Sequence, residues 1–290
     1  MTLPFEAIQT YRAASFRSLP ERRIQTIEEA IAFVQERSFA FFWPNSSLPF
    51  PSLWAAAAGD RPVPDEHDDP GHITWDWKDK SLGKKWWYYG RVLQKRNAML
   101  SLDVLPYFYA LSENYGSPEE DYLISYEEGR LTQESRGVYE TLLKEGPLDS
   151  IALRKKAHLS NRESESRFNR ALTELQADFK ILPVGISDAG AWHYAFIYDI
   201  VPRHYPDLIE QAHGIDEWDA RRKLAEEFFR ALGAAPLRDM ARIFGWKTDM
   251  ANRVVSRLLE TGKLTGPVQV ENQSGEWICH PNLLDSTLML

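Results

Sequence analysis

Cations and flat rings alternate between Trp75 and Arg96. Lys78, Lys80, Lys84, Lys85, Arg91, Lys95 and Arg96 stand among Trp75, Trp77, Trp86, Trp87, Tyr88 and Tyr89, opposed by Asp76 and Asp79. These residue types suit a nucleic acid, because ammonium and guanidinium groups meet phosphate and aromatic faces stack on exposed bases. The bland alternative is that the rings are core and the lysines solvated. A second basic run holds Arg154, Lys155, Lys156, His158, Arg162, Arg167 and Arg170 against Glu163 and Glu165. It invites the same chemistry, unless i,i+4 pairs such as Glu163 with Arg167 make it a plain solvent face. A third set comprises Lys247, Asn252, Arg253, Arg257 and Lys263, with Asn272 and Gln273 further on. Asn and Arg side chains read base edges, although any surface helix carries them. The expected DNA contacts are Lys78, Lys80, Lys84, Lys85, Trp86, Trp87, Arg91, Arg154, Lys155, Lys156, Arg162, Arg167, Arg170, Lys247, Asn252 and Arg253.

Other chemistries leave no trace. The stretch Asp65-Glu66-His67-Asp68-Asp69-Pro70-Gly71-His72 is rich in ligand types, but its spacing fits no metal set, and it reads as a flexible acidic loop. No glycine-rich phosphate loop, GxSxG elbow or HExxH is present. No cofactor and no metal are expected. The lone Cys279 cannot close an intramolecular disulfide and no CxxC occurs, which suits a reducing compartment. The net charge of −8 argues against a chain coated in basic charge. It leaves room for a local basic face, and equally for a module whose partner is another protein. No apolar run approaches the roughly 20 residues of a membrane span, and the N-terminus lacks a secretory pattern. A cytoplasmic chain without a membrane partner is expected.

The elements that must hold these residues show an internal similarity. In the first copy, Arg136 to Lys144 is a helix with Val138, Leu142 and Leu143 as its stripe, and Gly146-Pro147 breaks it. Leu148 to Ala157 is a second helix. Ser160, with Glu163 three residues on, reads as the cap of a third helix running to Ala177. Phe179 to Val184 and Trp192 to Tyr198 then read as strands around the turn Ser187-Asp188-Ala189-Gly190. In the second copy, the helices are Arg221 to Leu232, Leu237 to Phe244, and a third capped by Thr248 or Asp249. The strands are Lys263 to Val270 and Glu276 to Cys279. Three helices and a hairpin with a short turn between the second and third helices make a winged helix-turn-helix. The expected fold is mainly α with small β-hairpin wings, as tandem winged helix-turn-helix modules. The domains would be 1–131, an elaborated N-terminal unit, then 132–218 and 219–290. In the first of these, Thr26 to Arg37 is an amphipathic helix and Phe39 to Trp43 a short strand. Pro49 to His72 reads as an irregular loop, Asp103 to Tyr115 as a helix, and Ser117-Pro118-Glu119-Glu120 as a helix start.

Residues 220–264, ARRKLAEEFFRALGAAPLRDMARIFGWKTDMANRVVSRLLETGKL, resemble the AlkZ/YcaQ type of winged-helix family. Phe33-Val34 ending a helix, followed by Leu53-Trp54, continues the likeness toward the N-terminus. The resemblance implies three winged helices around a concave channel that accepts DNA, where the glycosylases excise alkylated or crosslinked bases. Those enzymes carry two glutamines flanking an apolar residue on the strand before the Leu-Trp pair. Here that strand falls on Ser38-Phe39-Ala40 or, shifted by two, on Ala40-Phe41-Phe42, with no glutamine in either register. Glycosidic hydrolysis needs a polar group to position water and support a cationic sugar, and Phe and Ala supply none. The chain also ends at Leu290, soon after its last module, where the glycosylases continue. The expectation is a DNA-binding protein of repair or regulation that lacks excision chemistry. A glycosylase using Glu36 as a substitute acid is the first alternative, and a protein-interaction module the second.

Overall fold

The computed structural model describes residues 2–66, 68–190 and 193–287. The first elements are β1 (Thr2–Leu3), α1 (Phe5–Ser15), α2 (Ile27–Arg37), β2 (Phe39–Phe41), α3 (Leu53–Ala58), α4 (Ile73–Ser81), β3 (Tyr88–Leu93), β4 (Arg96–Leu100), α5 (Leu105–Ala110) and α6 (Asp121–Glu127). Next come α7 (Gln133–Glu145), β5 (Leu148–Asp149), α8 (Ser150–Lys156), α9 (Glu165–Ala177), β6 (Ile181–Ser187), β7 (Ala195–Ile200), α10 (Val201–His204) and α11 (Leu208–His213). The last are α12 (Glu217–Leu232), β8 (Ala234–Pro236), α13 (Leu237–Phe244), α14 (Thr248–Glu260), β9 (Thr265–Val270), β10 (Trp277–Cys279) and α15 (Pro281–Thr287). Helix dominates and the sheets are small. The chain divides into two compact units. One holds the chain up to Trp77, Met99–Val104, and everything from Glu217 onward; the other holds Lys78–Ala98 and Leu105–Asp216.

In the second of these units, α7 starts because the Thr132 hydroxyl accepts the Ser135 N–H at 3.2 Å, and it stops at Gly146, whose φ of 88° suits glycine. Asp149 then caps α8 by accepting the N–H groups of Ile151 and Ala152, each at 2.9 Å. Val138, Leu142, Leu153, Phe168, Leu172 and Leu175 close a core beneath α7, α8 and α9. Each such side chain contributes roughly 1.5–3 kcal/mol on leaving water. Strands β6 and β7 pair antiparallel with a register shift between Pro183 and Gly185, and β5 lines the other edge of β7.

In the first unit, α13 ends at Gly245, left-handed at φ 67°, and α14 follows at once. The sheet order is β1-β9-β10-β8, with β1 parallel to β9. Helix α1 packs on α12, and the buried Arg12 guanidinium donates to Leu232 O at 3.1 Å and Ala234 O at 2.6 Å. Helix α2 begins with a capping box between Thr26 and Glu29. Thr26→Ala is expected to lower stability by about 1 kcal/mol, read as a lower urea midpoint at unchanged slope.

Several local expectations are corrected. Pro49 to His72 is not all loop: Ser52 accepts the Ala55 N–H, Gly59 closes the helix end, and the alanine run between them forms α3. Leu148 and Asp149 belong to a strand rather than to the second helix. Asn161, not Ser160, supplies the cap before α9, accepting the Ser164 N–H at 2.9 Å. Neither Thr248 nor Asp249 caps α14, whose N-cap position is Lys247 without a side-chain bond. The helix expected over 103–115 shortens to α5. His67 and Trp192 lie outside the described residues.

Candidate nucleic-acid interface

The aromatic and basic segment after Trp75 is pulled in several directions by its elements. Lys78 turns inward and is only 6% exposed, its Nζ 2.6 Å from Asp79, 2.7 Å from the Tyr194 hydroxyl and 4.7 Å from the centre of the Phe196 ring. Burial lowers its ammonium pKa, and Asp79 works the other way. Trp87 is buried and Trp86 half-buried, whereas Lys80, Lys84 and Lys85 are exposed. Lys85 rests 5.6 Å from the centre of the Tyr205 ring. Trp75 is exposed and touches Trp43 and His72, so it belongs to a separate aromatic cluster that also holds Trp54.

Arg91 joins the second basic run. Its Nη1 donates to Thr173 Oγ1 at 2.5 Å, which ties β3 to α9. A cavity of about 440 Å³ opens beside this contact, lined by Arg91, Arg154, Lys155, Phe168, Asn169 and Tyr198 among others. Arg154 also clasps the turn before α9, donating to Leu159 O at 2.7 Å and Asn161 O at 2.8 Å. Its Nη1 lies 3.8 Å from Glu165, the one carboxylate among the described residues of the cavity wall. Burial pushes the Tyr198 phenol up to about 12, with Arg91 pulling the other way, so the hydroxyl is a donor at neutral pH.

The remaining cations of the run are dispersed. Lys156 pairs with Glu145 at 2.6 Å, and Arg170 lies 3.9 Å from Glu174. Arg167 pairs with Glu134 at 2.9 Å rather than with Glu163, and lines a different cleft of about 610 Å³ with His158 and Glu140. Arg162 is exposed. In the other unit, Lys247, Asn252 and Arg253 are exposed at the start of α14 and along it.

The candidate acid Glu36 is about half exposed and held by Arg17 at 2.8 Å. Two residues further, Ser38 is buried, takes φ 66°, and donates its hydroxyl to Glu227 Oε2 at 2.8 Å. Glu227 also accepts from Lys223 at 2.8 Å and from Arg230 Nε at 2.7 Å. Phe39 is fully buried, stacked on Phe50 at 5.7 Å, and Ala40 is fully buried beside it. Sequence reasoning passed over Glu227, Asn169 and Tyr198. Glu227 left a signal: a lone acid on the inward stripe of Leu224 and Phe228, with cations four residues before and three after it.

Among the described residues no group of three His, Cys, Asp or Glu side chains is placed to hold a metal ion, and no helix is long and apolar enough to cross a membrane. Burial pushes the Cys279 thiol up to about 12, which leaves it protonated and unreactive.

Comparison with known proteins draws these observations together. A DNA glycosylase AlkZ from Streptomyces sahachiroi superposes with a TM-score of 0.60 at 13% identity, over 99% of this chain and 72% of that one, which speaks for a shared fold. No curated protein matches the sequence. The family described as AlkZ related matches residues 24–245, most of the chain. The chain therefore belongs to the AlkZ-related family.

Proposed function

We propose that this AlkZ-related protein binds DNA in a repair setting and does so without base-excision chemistry. The helices α7–α9 with β5–β7, and α12–α14 with β8–β10, are read as winged helix-turn-helix modules, a design that presents a helix to nucleic acid. The observation that carries the reading is the meeting of Arg91 with Arg154 and Lys155 around one cavity at α9, three cations against the single Glu165, on a chain of net charge −8. Cations that converge on an otherwise acidic protein need an anion, and a phosphate backbone supplies one. Exposed Lys84, Lys85 and Arg162 add further positive charge to the same unit, and Lys247 and Arg253 to the other. The burial of Phe39 and Ala40 supports the absence of excision chemistry, since neither presents a polar group to water or sugar.

The test is a duplex titration by fluorescence anisotropy across a range of salt concentrations. Affinity should fall steeply with salt, and each phosphate contact removed should flatten the log–log slope by about one unit. The triple variant Lys84→Glu, Lys85→Glu, Arg91→Glu is expected to bind about tenfold more weakly or worse, with a shallower slope. Binding that ignores salt, or a triple variant that matches the parent, would sink the proposal. No binding even at low salt would leave a protein partner as the reading to pursue.

A further inference from the structure

The α9 cavity that carries the DNA-binding reading has room for part of a strand, not for a whole duplex. A helix that reads DNA offers its exposed face to a major groove about 12 Å wide. Here Arg91 is bonded to Thr173, one turn beyond Asn169 on the same face of α9, so that face borders a half-open cavity in which Asn169 stays exposed. Its volume of about 440 Å³ falls within the roughly 300–1,000 Å³ of small-ligand pockets.

The wall divides into two chemistries. Arg91, Arg154 and Lys155 are the cationic part, opposed among the described residues only by Glu165. Phe168, Leu172 and Tyr198 form an apolar part that includes two aromatic side chains. Tyr198 is only 6% exposed, but its hydroxyl is not one of the buried polar atoms without a partner, so what is exposed of the side chain brings that hydroxyl to the cavity surface. A hydroxyl at the cavity surface can exchange water for an acceptor on a ligand. Asn169 adds an amide with both donors and an acceptor, suited to the edge of a base. A phosphate with a flat heteroaromatic ring matches this combination, whereas a bare anion would leave the apolar half unused.

We propose that this cavity receives one unpaired nucleotide, its phosphate against Arg154 and Lys155, its base against Tyr198, and the base edge met by Asn169. The assignment deepens the DNA-binding reading and rests on it for the source of the nucleotide, an extrahelical or single-stranded residue of DNA. A free mononucleotide carries the same chemistry, so the experiment separates the two.

The full chain is titrated with a fluorescein-labelled perfect duplex and with the same duplex carrying one unpaired nucleotide, with and without deoxyadenosine monophosphate as competitor. The bulged duplex should bind more tightly by about fivefold or more, as expected for hydrogen bonds from Tyr198 and Asn169 that only an extrahelical base receives. Millimolar mononucleotide should remove that excess. In Tyr198→Phe and Asn169→Ala, neither of which empties the core, the ratio of bulged to perfect affinities should fall toward one. Equal binding of both duplexes by the parent protein would overturn the assignment and leave DNA binding standing. If no DNA binds, the DNA reading falls, and the cavity is judged on the mononucleotide alone. A rise in melting temperature that Tyr198→Phe abolishes would support it, and no rise would overturn it.

Discussion

Replacing Glu227 by alanine is expected to lower stability by about 3 kcal/mol, the lower end for breaking a buried ion pair because its partners are partly exposed. The Glu227 carboxylate is 6% exposed and accepts from Lys223, Arg230 and the Ser38 hydroxyl. Arg230 in turn donates to Glu36 O at 2.7 Å and Ser38 Oγ at 3.0 Å, so one carboxylate holds the end of α2 and the start of β2 against α12. Without it, a half-buried guanidinium and a buried hydroxyl lose their acceptor. Burial works to raise the Glu227 carboxyl, but the hydrogen bond from Lys223, the charge and hydrogen bond of Arg230 and the bond from Ser38 outweigh it, and the net pKa is lowered. The unfolded chain therefore takes up a proton more readily than the folded one. The stabilising contribution is complete above the unfolded value of about 4.3 and is lost as pH falls through the folded value. Urea midpoints for the parent and Glu227→Gln should differ most at neutral pH and converge on acidification. A gap that stays constant with pH would place the stabilisation in packing instead of charge.

Helix α7, α9, α12 and α14 were legible because Leu142, Leu172, Phe228 and Val254 each recur with partners three or four residues away, a period no strand shares. Helix α3 was hidden for the converse reason: Ala55 to Ala58 carry no contrast between faces, and the surrounding prolines suggest loop. Charge was harder still. Lys78 and Lys80 sit two apart on α4, yet one is buried against Asp79 and Tyr194 while the other is exposed. Nothing local distinguishes them, since the difference is made by Tyr194, 116 positions along the chain from Lys78. The same applies to Arg91, whose place beside Arg154 depends on Thr173, and to β1, whose partner β9 lies at the far end of the sequence. Composition marked which segments were cationic; only tertiary contacts decide which cations share a cavity.

Rebuilding two glutamines on the strand, Ser38→Gln with Ala40→Gln, is expected to destabilise the fold by about 3 kcal/mol or more, from overpacking and a buried amide, and to release no base. The family resemblance sets the paired glutamines of the glycosylases at these positions, yet Ala40 is 0% exposed and Phe39 is stacked on Phe50 and edge-on to Phe244. The other register is no more open, with Phe41 at 1% and Phe42 at 2% exposure. Hydrolysis requires a water and a sugar at the amide, and this strand reaches neither without moving its aromatic neighbours. Ser38→Gln alone should be milder, because an amide N–H can replace the hydroxyl as donor to Glu227. Ala40→Met separates the two penalties: it adds similar bulk without polarity, so the further loss in Ala40→Gln measures the cost of burying the amide, about 1–3 kcal/mol. Melting temperatures of the four variants and a base-release assay on alkylated DNA decide the matter. A stable double variant that frees a base would mean the strand opens to solvent and the excision site was silenced only by its side chains.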